Sequence, residues 1–266
     1  MIERRPAAPQ GPKGNLVCDL DGVVYRGDTA IVGAGEALRL LDESGYRIIF
    51  ATNNSSKTDD AVAAKISRLS GYQATTGQVV TSARAAASML AGRPERVYVV
   101  GGEGLTTAFR EAGHEIASTG SQVSVVAVGF DLDLSYERLR EATKALHAGA
   151  RFIASNLDTT FPAADNDLWP GAGSMVAALE AASGRKAEPA GKPYEPMKRL
   201  IAERFADGPV FVVGDRPDTD LALGAHAGWT TVLTLSGVTP AAAADHADAD
   251  IIVETLAALP AALSAF

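Results

Sequence analysis

The chain has 266 residues, with 24 Lys and Arg against 32 Asp and Glu, and a formal net charge of −8 at pH 7. Hydrophobic residues make up 47% and charged ones 21%, the profile of a folded globular chain of one large or two modest domains. The acidic balance supplies no positive field for a phosphate backbone, so nucleic acid is not an expected partner. One cysteine, Cys18, excludes an intramolecular disulfide. No apolar run reaches the roughly 18 residues that a membrane span needs. The opening MIERRPAAPQGPKGN carries basic residues with no apolar stretch behind them, unlike a secretory signal. A soluble cytoplasmic protein is the expectation.

In chain order, residues 15–20 (NLVCDL) form a short apolar run ending at the turn signal Asp21-Gly22, which predicts a buried parallel strand. Residues 34–44 carry Ala37, Leu38, Leu40 and Leu41 at helical spacing before Gly45. A second strand is predicted over 47–52 (RIIFAT). Thr58, with Asp59 and Asp60 behind it, reads as the N-cap of a helix reaching about Leu69. The alternation then resumes: strand at 96–102, helix at 105–113, strand at 123–130, helix at 136–148, strand at 151–155 and an Ala-rich helix at 173–183. It returns with strands at 210–215 and 230–237 around a further helix. This order predicts right-handed βαβ units and parallel sheets. The stretch AAAADHADAD at 241–250 is biased in composition but too short to be read as disordered.

Three separated stretches carry chemistry. In Asp19-Leu20-Asp21-Gly22, two carboxylates stand two residues apart at the end of a buried strand, where ligands bind in open α/β sheets. Strand alternation sends both into one crevice, and burying two negative charges together favours a neutralising cation; oxygen ligands suit Mg²⁺. Taken alone, the segment also fits a turn with two exposed acids. The second stretch, Val213-Gly214-Asp215-Arg216-Pro217-Asp218-Thr219-Asp220, again runs an apolar strand into acids. Two such clusters on one sheet point to a shared metal. The third, Ala190-Gly191-Lys192-Pro193, fences a lysine in a loop, where it is either a solvated charge or a fixed counter-charge to carboxylates and phosphate.

DLDGVVY, TNNSSKT, GKP and GDRPDTD, in this order, resemble the haloacid dehalogenase superfamily of hydrolases. Within it they resemble class IIA, the NagD and 4-nitrophenylphosphatase-like group with a large cap between the second and third motifs. The resemblance spans about 15–237. It implies an α/β fold: a Rossmann-like core with a parallel sheet over residues 1–82 and 188–266, and an α/β cap over 83–187. It implies that Asp19 is the nucleophile forming an aspartyl-phosphate, and that Asp21 protonates the leaving alkoxide and later deprotonates the attacking water. Thr52 and the backbone around Asn53 and Asn54 would bind phosphoryl oxygens, and Lys192 would neutralise both Asp19 and the phosphate. Mg²⁺ would be held by Asp19, the Asp21 carbonyl and Asp215, with Asp220 orienting a metal-bound water or the Asp215 loop.

Asp21 followed by Gly22 fits phosphate esters rather than carbon–halogen bonds, whose halide leaves without a proton. The expected activity is therefore hydrolysis of a small phosphorylated metabolite, such as a sugar, glycerol, nucleotide or aryl phosphate. A phosphotransferase and a non-catalytic phosphometabolite-binding protein are the alternatives; a homodimer is admitted. In the cap, Phe161 and Trp169 stand in a Pro- and Asp-rich loop over 156–169, with Phe161 as the expected leaving-group contact and core packing as its alternative. Gly101-Gly102-Glu103-Gly104 is a tight strand-to-helix turn rather than a dinucleotide loop, since Thr106 stands where that loop needs a small residue. Four scattered histidines do not suggest zinc. Cys18 reads as a small core residue.

Overall fold

The computed structural model describes residues 13–90, 92–162, 168–239 and 248–264. The first apolar run forms β1 (Gly14–Cys18), and a small hairpin of β2 (Tyr25–Arg26) and β3 (Thr29–Ala30) follows it. Then come α1 (Ala34–Glu43), β4 (Tyr46–Thr52), α2 (Asp59–Ser70), β5 (Val79–Thr81) and α3 (Ser82–Ser88). Thr58 caps α2 as its sequence suggests, its hydroxyl accepting the Ala61 N–H at 3.3 Å, a contact of a kind that contributes about 1 kcal/mol.

The middle of the chain runs through β6 (Arg96–Val100), α4 (Glu103–Glu111), β7 (Glu115–Ala117), β8 (Val125–Val128), α5 (Tyr136–His147) and β9 (Arg151–Ala154). The hairpin of β10 (Thr160–Pro162) and β11 (Leu168–Pro170) precedes α6 (Ala172–Ser183) and β12 (Glu188–Pro189). The chain closes with α7 (Glu195–Ala202), β13 (Val210–Gly214), a turn over Pro217–Leu221, α8 (Ala222–Ala227), β14 (Thr230–Thr234), β15 (Ile251–Val253) and α9 (Leu259–Ser264). Residues 1–12 and 240–247, the latter including most of the Ala-rich stretch at 241–250, lie outside the described residues.

Two all-parallel sheets result. The six-stranded sheet has the order β15-β14-β13-β1-β4-β5; the five-stranded sheet has the order β12-β9-β8-β6-β7. Alternation along β1 and β4 explains why neither face of the first sheet meets water. Leu16, Cys18, Ile48 and Phe50 pack towards α1 and α2, while Val17, Ile49 and Ala51 pack into a second core. That second core is common to both sheets. It holds alanines of α3, Leu105 and Phe109 of α4 and Met197 of α7 together with Val97, Val125 and Ile153 of the five-stranded sheet. A salt-bridged bracket reinforces this layer: Arg84 on α3 bonds Asp59 of α2 at 2.5 Å and Glu111 of α4 at 2.5 Å.

Two elements stand at the expected divisions of the chain. The alanine-rich α3, assigned from its sequence to the cap, fills the layer between the sheets because its small side chains let two backbones approach. Glu188 and Pro189, assigned to the core, extend the five-stranded sheet by pairing with Ile153 and Ala154. Within the segment at 156–169, Thr160–Pro162 and Leu168–Pro170 pair as antiparallel strands, with Phe161 opposite Trp169; residues 163–167 lie outside the described residues.

Candidate active site

Strand order in the six-stranded sheet reverses between β1 and β13, and the crevice beyond their carboxyl ends is where such sheets bind ligands. Asp19 follows β1 directly, and its N–H still reaches the Val213 carbonyl of β13 at 2.9 Å. Asp215 follows β13, and Thr52 ends the neighbouring β4. Carboxylate oxygens of Asp19, Asp215 and Asp220 lie within 4.8 Å of one another. Close approach demands glycine here. Gly22 sits at φ 86°, and a Cβ there would fall on the Asp215 carboxylate, as would one on Gly237.

Lys192 enters this cluster from the loop after β12. Its Nζ donates to Asp19 Oδ1 at 2.5 Å, Asp220 Oδ1 at 2.6 Å and the Ala51 carbonyl at 2.8 Å, so all three donors are used. Lys192 is 3% exposed, Asp215 2% and Asp220 1%, so these charges act on one another through little water. Burial raises the Asp19 carboxyl well above the ordinary range against the pull of Lys192. Asp215 is pushed up to about 6, by burial first and then by the charge of Asp220, against the Val238 N–H. Burial lowers the Lys192 ammonium's proton affinity, but Asp19 and Asp220 outweigh it, so the lysine holds its proton more tightly than usual.

Three carboxylates around one ammonium leave two buried negative charges uncompensated. That deficit, an all-oxygen donor set and the raised Asp19 and Asp215 carboxyls all fit a divalent hard cation such as Mg²⁺. The Asp215 carboxylate is held in place: its Oδ2 accepts the Val238 N–H at 2.6 Å, and its carbonyl accepts from Thr239 Oγ1 at 2.5 Å. The Asp21 side chain stays outside the cluster of three. Burial raises its carboxyl too, which favours the protonated form that a general acid needs. Asp220 accepts the Arg216 N–H at 3.2 Å on Oδ2 while Oδ1 holds Lys192. It ties the Asp215 loop to the lysine.

The loop after β4 is held internally. Thr52 Oγ1 accepts the Asn54 N–H at 3.1 Å and donates to no protein acceptor among the described residues, which leaves its proton for a ligand. Asn54 Oδ1 accepts from Ser56 N and Ser56 Oγ, each at 2.8 Å. Asn53 is spent differently: its Oδ1 accepts the Lys192 N–H at 2.8 Å, and its Nδ2 reaches the Lys192 carbonyl at 3.3 Å. The Asn53 side chain therefore presents Lys192 and the Asn54 Oδ1 braces the loop, while Asn54 Nδ2 donates to no protein acceptor among the described residues. Phe161 lies against Phe130, with ring centroids 5.1 Å apart at 35°.

Sequence reasoning missed Asp158. Both of its carboxylate oxygens accept from Asn53 Nδ2, at 3.2 and 3.1 Å, and its N–H is held by Asn156 Oδ1 at 3.0 Å. Asn156 Nδ2 in turn bonds the Asn53 carbonyl at 2.7 Å. The available signal was an apolar strand, β9, running into polar Ser-Asn-Leu-Asp, the same pattern that marked the other two strand ends.

With this geometry in place, comparison assigns the class. Residues 16–115 match the haloacid dehalogenase-like hydrolase family, and residues 189–259 match a further haloacid dehalogenase-like hydrolase model. The chain belongs to the haloacid dehalogenase-like hydrolases, within the NagD and 4-nitrophenylphosphatase-like group. Among its relatives, human chronophin is 37% identical over 245 residues, covering 86% of this chain and 83% of chronophin. A glycerol phosphate phosphatase from Mycobacterium tuberculosis, solved in complex with magnesium, superposes with TM-score 0.84 at 36% identity, covering 92% of this chain and 75% of that one. The p-nitrophenyl phosphatase from Archaeoglobus fulgidus superposes with TM-score 0.86 at 30% identity, covering 94% and 99%. No helix among the described residues is long and apolar enough to cross a membrane.

Proposed function

We propose that this chain is a Mg²⁺-dependent phosphomonoester hydrolase that works through an aspartyl-phosphate on Asp19, acting in the cytoplasm on a small metabolite. The observation that carries the reading is the cluster itself. Asp19 is the one member of the carboxylate trio that is not fully buried, its side chain 12% exposed, and Lys192 fixes one of its two oxygens. A binding protein would need neither a nucleophile nor a second acid beside it. The magnesium-bound glycerol phosphate phosphatase and the p-nitrophenyl phosphatase support the metal and the substrate class.

Lys192 holds Asp19 Oδ1, which orients Oδ2 for attack. As the Asp19 oxygen bonds phosphorus, the bond to the leaving oxygen breaks, and Asp21 delivers its proton to that oxygen. The Thr52 hydroxyl and the backbone N–H groups of its loop stabilise the phosphoryl oxygens. Asp21, now ionised, takes a proton from the incoming water, whose oxygen bonds phosphorus and releases Asp19 and inorganic phosphate. The Asp19 and Asp215 side chains and the Asp21 carbonyl would hold Mg²⁺, which would supply charge neutralisation for the nucleophile and the phosphoryl group. The test is phosphate release from a panel of esters with and without Mg²⁺. Wild type should release phosphate only with the metal, Asp19→Asn should release none, and Asp19→Asn at wild-type rate would remove the mechanism.

A further inference from the structure

Resting on the Mg²⁺-dependent reading of the site, we infer that Arg26 is a positioning residue for the metal: it clamps the loop that holds Asp215 and so sets how tightly Mg²⁺ binds. The Asp215 carboxylate lies between two chain segments, the turn at Gly22 beyond β1 and the loop at Gly237 beyond β14, and each needs glycine to pass it. The loop beyond β14 also supplies the groups that fix Asp215, the Val238 N–H on Oδ2 and the Thr239 hydroxyl on the carbonyl. Where that loop sits therefore decides where the Asp215 oxygens point.

Two residues tie this loop to the segment that follows the nucleophile. The Ser236 hydroxyl donates to the Gly22 carbonyl at 2.7 Å. Arg26, on β2, donates from Nε to the Ser236 carbonyl at 2.6 Å and from Nη2 to the Gly237 carbonyl at 3.0 Å. The hairpin that carries Arg26 is itself braced on the first motif, since the Gly22 N–H donates to the Tyr25 carbonyl at 2.7 Å. Arg26 is exposed, yet among the described residues it spends its planar fork on two consecutive carbonyls and on no carboxylate. The path to the metal ligand is short: guanidinium, carbonyls of 236 and 237, Val238 N–H, Asp215 Oδ2. Outer partners of this kind orient ligands and tune metal affinity. Charge alone predicts the opposite effect. A cation bonded to Gly237, which packs on Asp215, repels a divalent ion, so its deletion would tighten Mg²⁺ binding; loss of the clamp loosens it.

The experiment titrates Mg²⁺ into the metal-free whole chain by calorimetry and follows p-nitrophenyl phosphate turnover against Mg²⁺ concentration. Arg26→Ala should weaken Mg²⁺ binding by about tenfold, the lower end of what removal of an outer-shell partner costs. The Mg²⁺ needed for half-maximal turnover should rise by the same factor, and excess Mg²⁺ should restore most of the rate. Arg26→Lys keeps a donor and should recover part of the affinity, and Ser236→Ala, which cuts the other tie, should weaken binding in the same direction. The metal-free melting temperature of each variant should stay within roughly 5 °C of wild type, because the lost contacts lie at the surface. Mg²⁺ affinity unchanged or tighter in Arg26→Ala overturns the inference, as does a larger fall in the metal-free melting temperature, which would make Arg26 a general scaffold residue. In either case Mg²⁺ uptake by wild type leaves the metal reading standing, whereas a wild-type chain that takes up no Mg²⁺ overturns that reading and this inference together.

Discussion

Replacing Lys192 by Met keeps the length of the side chain and deletes the ammonium at the centre of the site. The structure makes the cost calculable in outcome. Two carboxylates, on Asp19 and Asp220, lose their ion pair, and the Ala51 carbonyl loses its donor. Removing one partner of a buried ionic cluster costs about 3–5 kcal/mol. At about 2–4 °C per kcal/mol for a protein of this order of size, the melting temperature should fall by roughly 6–20 °C.

The chain can reduce that cost by protonating an acid, which gives the loss a pH dependence. Without Lys192, the already raised Asp19 carboxyl rises further. A folded-state carboxyl above its unfolded value means that the folded form binds more protons, so stability falls as pH rises towards that value. The deficit of Lys192→Met should therefore be larger near about pH 8 than near about pH 5.5 in metal-free urea melts, and Mg²⁺ should recover part of it by replacing the lost positive charge. The double variant Lys192→Met with Asp220→Asn removes one of the stranded acids. It should be less destabilised than the two single changes summed, with a coupling of about 0.5–3 kcal/mol. A single-variant loss below about 1 kcal/mol near neutral pH, or a strictly additive double variant, would refute the charge-balance reasoning.

How much of this was legible beforehand depended on whether the signal was local. The apolar runs of β1, β4 and β13 are buried on both faces, so their sequences read as strands, and each ends abruptly in polar residues that became the site. Helix α2 was legible because Thr58, Asp59 and Asp60 state its start. By contrast, β12 consists of two residues, Glu188 and Pro189, and exists only because β9 offers an open edge; nothing in their own chemistry says strand. Helix α3 was not among the predicted elements, and its place between two sheets is a tertiary fact. The same limit hid the link between Asn53 and Asp158. Each is an ordinary polar residue in a loop, and their pairing across 105 positions of sequence arises only when the two sheets are stacked. Lys192 shows the opposite case: a lysine in isolation reads as solvated surface, and its burial follows from the three acceptors gathered around it.

The metal site makes its own prediction: Asp215→Asn should weaken Mg²⁺ binding, measured by titration calorimetry, at least tenfold, because Mg²⁺ tolerates little loss of anionic oxygen in its near-octahedral shell, and unchanged affinity would remove Asp215 from the site. Phe161→Ala breaks the ring contact with Phe130; it should reorder the preference among aryl, polyol and sugar phosphates, whereas one uniform factor on every ester would reduce Phe161 to packing. The last prediction separates the two acids of the first motif. Asp21→Asn leaves Asp19 and its lysine contact in place and removes only the proton relay, so turnover of an alkyl ester should fall by about 10²–10⁴-fold. The first step should suffer far less with p-nitrophenyl phosphate, whose phenolate leaves without a proton, while the second step still lacks its base. The Asp21→Asn chain should therefore accumulate one added phosphoryl group on the aryl ester, visible by rapid-quench mass spectrometry. Equal losses on aryl and alkyl esters, with no phosphorylated chain at any time, would take the proton relay away from Asp21.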